Sequence, residues 1–389
     1  MVRKIKVLSL FDGISCGMVA LERAEIPVER YVAYEIDKYA IKVSQKNYPQ
    51  IEQCGDVTTA DFTQHKDFDL LIGGSPCTYW SIAKKGRETT PDGVGGQLFM
   101  HYVRALKESG CKYFLYENNY SIHKDIKAFI SEQLGVEPIM INSALVSAQQ
   151  RKRCYWTNIP NVQQPKDKEI LLQDILDYSL DYQINLTNYK LKKIEKYANE
   201  HQNKTPVMFN AYNCSEITDK SPTMTSACGI ANTSAEVCLF EPILLNAKDG
   251  KSQTIKATSS NVSIANMVRK DGYGATGVAL PIRVGTVAHG GNANYNSKQW
   301  RVYSIAGKSV TICGQGGGAG AKTGLHKIDL PNGDYIIRKL TPLEAERLQT
   351  LPDNYTAGVS NTQRYKCIGN GWTIDVITHI LKGLKKGVS

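Results

Sequence analysis

Five apolar runs of strand length, separated by stretches of helical character, constrain this chain more than any other feature. The runs are Ile5–Phe11, Tyr31–Tyr34, Phe68–Ile72, Tyr113–Tyr116 and Pro138–Ile141, and helical stretches such as Lys38–Gln45 and Leu98–Lys107 lie between them. Strands joined through helices form βαβ units and a parallel sheet covered on both faces. The expected fold is therefore α/β, with a doubly wound, mostly parallel sheet. Such sheets bind ligands beyond the C-terminal ends of their strands. The residues directly after each run are thus the first candidates for function.

Beyond residue 160 the pattern changes. Residues 161–204 are charged and helical in flavour, with Leu172, Ile175, Leu176 and Tyr178 at helical spacing. Residues 205–330 are rich in Gly, Ser, Thr and Asn, with short β-branched runs. A loose repeat runs through them: Lys220-Ser221-Pro222-Thr223-Met224, Lys251-Ser252-Gln253-Thr254-Ile255 and Lys308-Ser309-Val310-Thr311-Ile312. This reads as a smaller, loop-rich β domain that reuses one hairpin design. Helical character then returns. Thr341-Pro342-Leu343-Glu344 has an N-cap Thr, a first-turn Pro and a Glu three residues after the cap. Ile374–Leu384 closes the chain as an amphipathic helix. The expected organisation is 1–204 and 331–389 as one catalytic and cofactor-binding domain, with 205–330 inserted between them.

The first run ends in Phe11-Asp12-Gly13-Ile14-Ser15-Cys16-Gly17. Glycines at a strand-to-helix turn let backbone approach a ligand and expose helix N-terminal N–H groups. The second run ends at Glu35, 22 residues after Gly13, a distance at which an acid suits a ribose diol. Asp56, in Cys54-Gly55-Asp56-Val57, is placed to take an adenine amino group. The spacing is Gly-x-x-x-Gly and not G-x-G-x-x-G, which argues against a nicotinamide dehydrogenase. A second glycine cluster, Gly316–Thr323, has Ala321 where a phosphate loop needs glycine before lysine, so ATP binding is not inferred.

The third run leads into Gly73-Gly74-Ser75-Pro76-Cys77, a sharp turn presenting a cysteine at a strand end. The polar segment Thr78–Gln97 follows, with Lys84, Lys85 and Arg87, and reads as a loop that closes over a polyanion. The fourth run ends at Glu117-Asn118-Asn119, whose carboxyl can face the same cleft as Cys77. Gln149-Gln150-Arg151-Lys152-Arg153 adds positive charge, and cations near a thiol favour the thiolate.

Charge points the same way. Lys and Arg number 47 against 37 Asp and Glu, a formal net charge of +10, which favours a polyanionic partner. None of the ten cysteines forms a C-x-x-C pair, so no metal site is expected. No apolar run reaches the ~18 residues of a membrane span, and the N-terminus lacks a secretory pattern. The expected location is a reducing cytoplasm with free thiols.

The pieces FDGISCG, YEID, GDV, GGSPC, YENN, QQRKR, RKLTPLEAERLQTLP and IGNGW occur in one order. In that order they resemble the DNA cytosine-5 methyltransferase family over about residues 1–185 and 335–389. INSALVSAQQRKRCYW and the loop after Cys77 are similar to animal de novo DNA methyltransferases, while the compact layout with an inserted domain looks bacterial or phage-like. The resemblance implies a Rossmann-like fold, S-adenosyl-L-methionine as methyl donor, and double-stranded DNA as substrate with the target cytosine flipped out. It implies Cys77 as nucleophile at carbon 6, Glu117 at ring nitrogen 3, and Arg153, supported by Arg151, orienting the base. Donor contacts carry over to Phe11, Asp12, Gly13, Ser15, Cys16, Gly17, Glu35, Ile36, Asp56 and Val57, with Asn370 and Trp372 closing the methionine end. Residues 205–330 match the target-recognition domain by position; Asn292, Asn294, Gln299 and Arg301 are its candidate base readers. A monomer serving restriction–modification or phage or host DNA protection, with a possible cognate restriction enzyme, completes the expectation.

One residue and one three-residue stretch depart from the family pattern. Asn119 stands where Val usually follows Glu-Asn, and Gly371-Trp372-Thr373 replaces Ala-Val-Pro. A tRNA-acting relative would carry a Cys-Phe-Thr signature, absent here. A purely DNA-binding relative would have lost Cys77, Glu117 or Arg153.

Overall fold

The computed structural model describes residues 3–81, 86–177, 301–312, 324–329 and 335–385, and the short segments 208–210, 215–217, 237–238, 281 and 283–286. The elements before residue 160 run β1 (Ile5–Leu10), α1 (Cys16–Arg23), β2 (Val28–Tyr34), α2 (Lys38–Asn47), β3 (Glu52–Gln53), β4 (Leu70–Gly73), α3 (Val94–Ser109), β5 (Tyr113–Asn119), α4 (Lys124–Leu134), β6 (Ile139–Asn142) and β7 (Lys152–Thr157). The seven strands form one sheet in the order β3-β2-β1-β4-β5-β7-β6. Pairs among β1 to β5 are parallel, and β7 is antiparallel to both β5 and β6. Strand order reverses between β1 and β4, which opens a crevice at the C-terminal edge.

Alternation along the strands divides the core into two layers. Val7, Tyr31, Ala33, Leu70, Ile72, Leu115 and Tyr155 face one side, with α1 and the C-terminal helices. Leu8, Val32, Tyr34, Leu71, Phe114, Tyr116 and Trp156 face the other, against Phe99, Tyr102 and Val103 of α3 and Ile126 and Ile130 of α4. All of these side chains are buried, and each layer removes from water the apolar surface that drives folding.

Past residue 160 the described strands are β8 (Met208–Asn210), β9 (Ser215–Ile217), β10 (Val237–Cys238), β11 (Arg283–Thr286), β12 (Arg301–Ser304), β13 (Leu325–Asp329) and β14 (Tyr335–Arg338), and the helices are α5 (Pro342–Leu348), α6 (Asn361–Asn370) and α7 (Ile374–Lys385). Backbone proximity divides the described residues into two units. The first holds 3–176, 281 and 303–385; the second holds residue 177, the segments 208–210, 215–217 and 237–238, and 283–302 where described. In the second unit β8 pairs antiparallel with β9 and with β10. In the first, β13 and β14 form an antiparallel pair.

The first unit takes in residues 303–312 for a physical reason. Ser309 bridges to Gln149 in parallel register, its N–H donates to the Ala148 carbonyl, and the buried Lys308 ammonium is held by the carbonyls of Ser147 and Ile170. Burial lowers the Lys308 pKa. Of the three repeat copies, only 308–312 lies in described residues. The helical reading of 161–204 is met by a 3-10 turn at Leu172–Ile175; Tyr178 lies outside the described residues. So do Asn292, Asn294, Gln299, the cluster 316–323, and Lys84 and Lys85. Among the described residues no helix is long and apolar enough to cross a membrane.

The capping box at Thr341 forms as the motif requires. Thr341 Oγ1 accepts from the Glu344 N–H at 3.2 Å, and Glu344 Oε2 accepts from the Thr341 N–H at 2.8 Å.

Candidate active site

The site is assembled at one edge of the sheet. Gly13 follows β1, Glu35 follows β2, Cys77 opens a short 3-10 turn after β4, and Glu117 lies near the end of β5. Because β7 runs antiparallel to β5, its beginning, with Arg153, reaches this same edge.

The turn after β1 uses left-handed backbone at three places: Phe11 (φ 55°), Gly13 (φ 61°) and Ser15 (φ 58°). Only Gly13 adopts this without a side-chain penalty. Asp12 holds the turn together. Its carboxylate accepts from Ser9 Oγ at 2.6 Å, Ser15 Oγ at 2.6 Å and Tyr31 OH at 2.7 Å. Burial pushes the Asp12 carboxyl up, and these hydroxyls pull it part of the way back. Ser15 is buried and also bonds Ser44 Oγ at 2.6 Å. Asp12 and Ser15 therefore shape the turn from inside with their side chains. Gly17 is a packing glycine, since a methyl there would clash with the Ile72 side chain. Cys16 is buried, and burial pushes its thiol up to about 12.

Groups that face outward surround this turn. Glu35 Oε2 accepts from the Gly13 N–H at 2.8 Å, and Oε1 accepts from the Ile36 and Asp37 N–H groups at 2.8 Å each. Burial raises the Glu35 carboxyl, against these backbone donors. Ile36 is 74% exposed, the most exposed large apolar residue described. Asp56 is exposed and its carboxylate accepts from the Thr58 N–H, while Val57 is buried and its carbonyl accepts from Arg104 at 2.9 Å. A Cβ at Gly13 or at Gly55 would meet nothing within 4 Å, so both turns border open space. Asn370 is exposed at the end of α6.

Across the crevice the Gly74–Pro76 turn is pinned against β5. Ser75 Oγ and Tyr116 OH lie 2.6 Å apart, and buried Asn118 donates to the Ser75 carbonyl and to Tyr116 OH. Downstream, Glu88 caps α3 by accepting from the Val94 and Gly95 N–H groups, and Arg87 donates to the Ser121 carbonyl at 2.8 Å. Ser75, Tyr116 and Asn118 lie inside the GGSPC and YENN pieces, but their spacing assigns no role to their side chains, and Arg87 and Glu88 stand out only as charges.

Glu117 is the best-defined chemical group. Its Oε1 lies 2.9 Å from Arg153 Nε, and its Oε2 accepts from Trp372 Nε1 at 3.0 Å. Glu117 pairs with Tyr155 and Asn119 with Arg153 in the β5–β7 register, which puts Glu117 and Arg153 diagonally on one face. Gly74 leaves room for this carboxyl: a Cβ there would sit 2.8 Å from the Glu117 carbonyl oxygen and 3.2 Å from Oε2.

Arg151 lies elsewhere. It is buried, donating to the carbonyls of Ile312 at 3.1 Å, Gly369 at 3.2 Å and Gly371 at 3.0 Å. It precedes β7, and its N–H is taken by Asn142 Oδ1, so it does not share the outward register of Arg153. Gln349 completes the same cluster, donating to the Ile368 and Gly371 carbonyls and accepting from Thr373 Oγ1 at 2.7 Å. Among the described residues no group of His, Cys, Asp or Glu could hold a metal ion.

The chain belongs to the C-5 cytosine-specific DNA methylase family, which it matches over residues 5–386. It is a DNA cytosine-5 methyltransferase with the Rossmann-like fold of that class. It is 27% identical over 451 aligned residues to the orphan methyltransferase M.SPRI of Bacillus phage SPR, covering 98% of this chain and 97% of the relative. It is 25% identical over 376 residues to the Type II methyltransferase M.HhaI of Haemophilus parahaemolyticus, covering 97% and 93%. In fold it is similar to the Entamoeba histolytica methyltransferase EhMeth, with TM-score 0.59, 13% identity and coverage of 100% and 99%. It is also similar to a putative DNA modification methyltransferase encoded within an E. coli prophage, with TM-score 0.55, 18% identity and coverage of 98% and 99%.

Proposed function

We propose that the enzyme uses S-adenosyl-L-methionine to methylate carbon 5 of a cytosine flipped out of double-stranded DNA, through a covalent adduct at Cys77. The observation that carries this reading is the carboxylate of Glu117, gripped by Arg153 at 2.9 Å, on the strand beside the one that ends at the Cys77 turn. The residues after β1, β2 and β3 fit an adenosine-bearing donor. Gly13 and Gly55 border open space, Glu35 offers a carboxylate for a diol, and exposed Ile36 offers an apolar surface for a flat ring. Phe11, Asp56 and Asn370 complete the outward-facing set, while Asp12, Ser15, Cys16, Gly17 and Val57 hold its shape. When bound, S-adenosyl-L-methionine supplies an electrophilic methyl group.

The target carbon is unreachable in a stacked duplex, so the base is extruded into the crevice. Cys77 thiolate adds to carbon 6, forming a C–S bond. The displaced electron pair is accommodated at ring nitrogen 3 by a proton held there by Glu117. Carbon 5 gains enamine character and becomes nucleophilic. Arg153 fixes the carboxylate and adds positive charge where the base carbonyl becomes electron-rich. After methylation the carbon 5 proton is lost to solvent, the C–S bond breaks, the nitrogen 3 proton returns to Glu117, and aromaticity is restored.

Arg151 acts behind this machinery, by holding the Gly369–Gly371 backbone. The enzyme works as a monomer on a defined duplex sequence, in restriction–modification or in protection of phage or host DNA, with or without a cognate restriction enzyme. Incubation with plasmid and S-adenosyl-L-methionine, followed by bisulfite sequencing, tests the reading. Protection at one recurrent sequence is expected, and none with Cys77→Ser. Equal protection by the Cys77→Ser variant contradicts the assigned nucleophile.

A further inference from the structure

We infer that Trp372 is a positioning residue for the chemical step: its indole N–H sets the plane of the Glu117 carboxylate, and the adjoining Gly371 backbone ties that setting to the turn after β1. The inference rests on the assignment of Glu117 as the group that holds the proton at ring nitrogen 3. The Trp372 indole nitrogen lies 3.0 Å from Glu117 Oε2.

A carboxylate held by one donor can still turn about its last bond. Here the Trp372 indole N–H donates to Oε2 while the Arg153 guanidinium forms an ion pair at Oε1, so the two oxygens are held separately and the plane is fixed. Both partners are donors only. Neither can take a proton from the carboxyl, so a proton on Glu117 has to lie along a remaining lone pair and stays available for a base. Gly74 acts on the same atom from the other side, because its missing side chain leaves Oε2 in place.

Trp372 can do this only if it is itself held, and it is. The Gly371 carbonyl is gripped by both Arg151 at 3.0 Å and Gln349 at 3.2 Å. Thr373 Oγ1 donates to Gln349 Oε1 and accepts from Ser143 Oγ at 2.9 Å. All of Arg151, Gln349, Thr373 and Ser143 are buried. On the cofactor side, the backbone just before Trp372 packs on the Cys16 thiol: a Cβ on Gly371 would sit 3.1 Å from the Cys16 sulfur. The adjacent residues Gly371 and Trp372 thus link Cys16, at the turn after β1, to the carboxylate at the end of β5.

Trp372→Phe keeps an aromatic ring and removes the donor. The test measures release of tritium from carbon 5 of cytosine in duplex DNA without methyl donor, which reads addition by Cys77 alone. It also measures single-turnover methylation. Trp372→Phe is expected to slow exchange and methylation together, by roughly 10-fold to 100-fold for a hydrogen bond to a charged group. Benzothienylalanine at 372, which swaps the N–H for sulfur at nearly constant shape, should reproduce the loss. In a Glu117→Gln background Trp372→Phe should add almost nothing. Wild-type exchange in Trp372→Phe, or equal slowing with and without Glu117, overturns the proposal. Wild-type exchange in Glu117→Gln alone instead overturns the role of Glu117 on which it rests.

Discussion

Arg153 and Glu117 face each other diagonally across the antiparallel β5–β7 pair, 2.9 Å apart, each side chain only 12% exposed. A pair this enclosed is felt in both stability and chemistry. Arg153→Ala leaves the carboxylate without its closest charge partner. Because the pair keeps some water contact, a stability loss of about 1–2 kcal/mol is expected, below the value for a fully buried pair. Turnover should fall by roughly 100-fold or more, as when a preorganised donor is removed from a reacting centre. Urea unfolding and single-turnover methylation measure the two effects separately; unchanged turnover would remove Arg153 from the site.

Gly74→Ala tests how closely the Cys77 turn approaches β5. The added methyl would sit 2.8 Å from the Glu117 backbone oxygen and 3.2 Å from its Oε2. Backbone cannot yield cheaply, so the two strand ends are expected to separate. Methylation should drop at least about 10-fold, since small misplacements at a reacting centre carry large rate costs. DNA affinity in a filter-binding assay should change far less.

Glu35→Gln replaces one of two accepting oxygens by an amide nitrogen. Three backbone N–H groups point at this carboxylate, so at least one would face a donor. An unpaired donor costs about 1–3 kcal/mol, so S-adenosyl-L-methionine affinity should fall roughly 10- to 100-fold, read by calorimetry. The pH dependence has a definite sign. Burial holds the Glu35 carboxyl above the ordinary range. Its stability contribution is therefore present below the unfolded pKa and lost as pH rises through the folded value. The accepting carboxylate is lost as pH falls through that same raised value. Donor binding should therefore weaken on acidification sooner than for an ordinary glutamate, and this limb should vanish in Glu35→Gln.

Thiol chemistry gives a further check. Burial pushes Cys16 and Cys367 up to about 12, and Cys111 and Cys154 up to about 11. Thiolates react and thiols do not, so iodoacetamide at neutral pH should leave these four unmodified in peptide maps. Inactivation should track alkylation of Cys77 and persist in a Cys54→Ala variant. Inactivation that tracks Cys16 would contradict the burial argument.

Motif spacing captures what lies at strand ends, because a strand end is a local feature. Gly13, Glu35, the Cys77 turn and Glu117 all fall at one edge of the sheet, and the Thr341 capping box forms from four consecutive residues. What depends on pairing between distant segments is not legible in the same way. β7 owes its existence to antiparallel pairing with β5 and β6, and its apolar centre Cys154–Trp156 carries no turn signal of its own. Arg151 and Arg153 look equivalent in QQRKR. Yet Arg151 precedes the strand and is committed to carbonyls 161, 218 and 220 residues away. The bond from Trp372 to Glu117 spans 255 residues; no spacing rule could indicate it. The return of the chain to the first unit by Tyr303 likewise depends on Lys308 and Ser309 docking onto 147–150.

The most direct test of the central claim is a trapping experiment. A duplex carrying 5-fluorocytosine at the sequence found by bisulfite mapping is incubated with enzyme and S-adenosyl-L-methionine, then digested and analysed by mass spectrometry. Fluorine cannot leave as a proton does, so the adduct cannot resolve. The expected result is a denaturation-resistant complex whose nucleotide is attached to the peptide containing Cys77, absent in Cys77→Ser. A nucleotide attached to any other residue, or methylation of ordinary DNA with no trapped complex, would contradict the account.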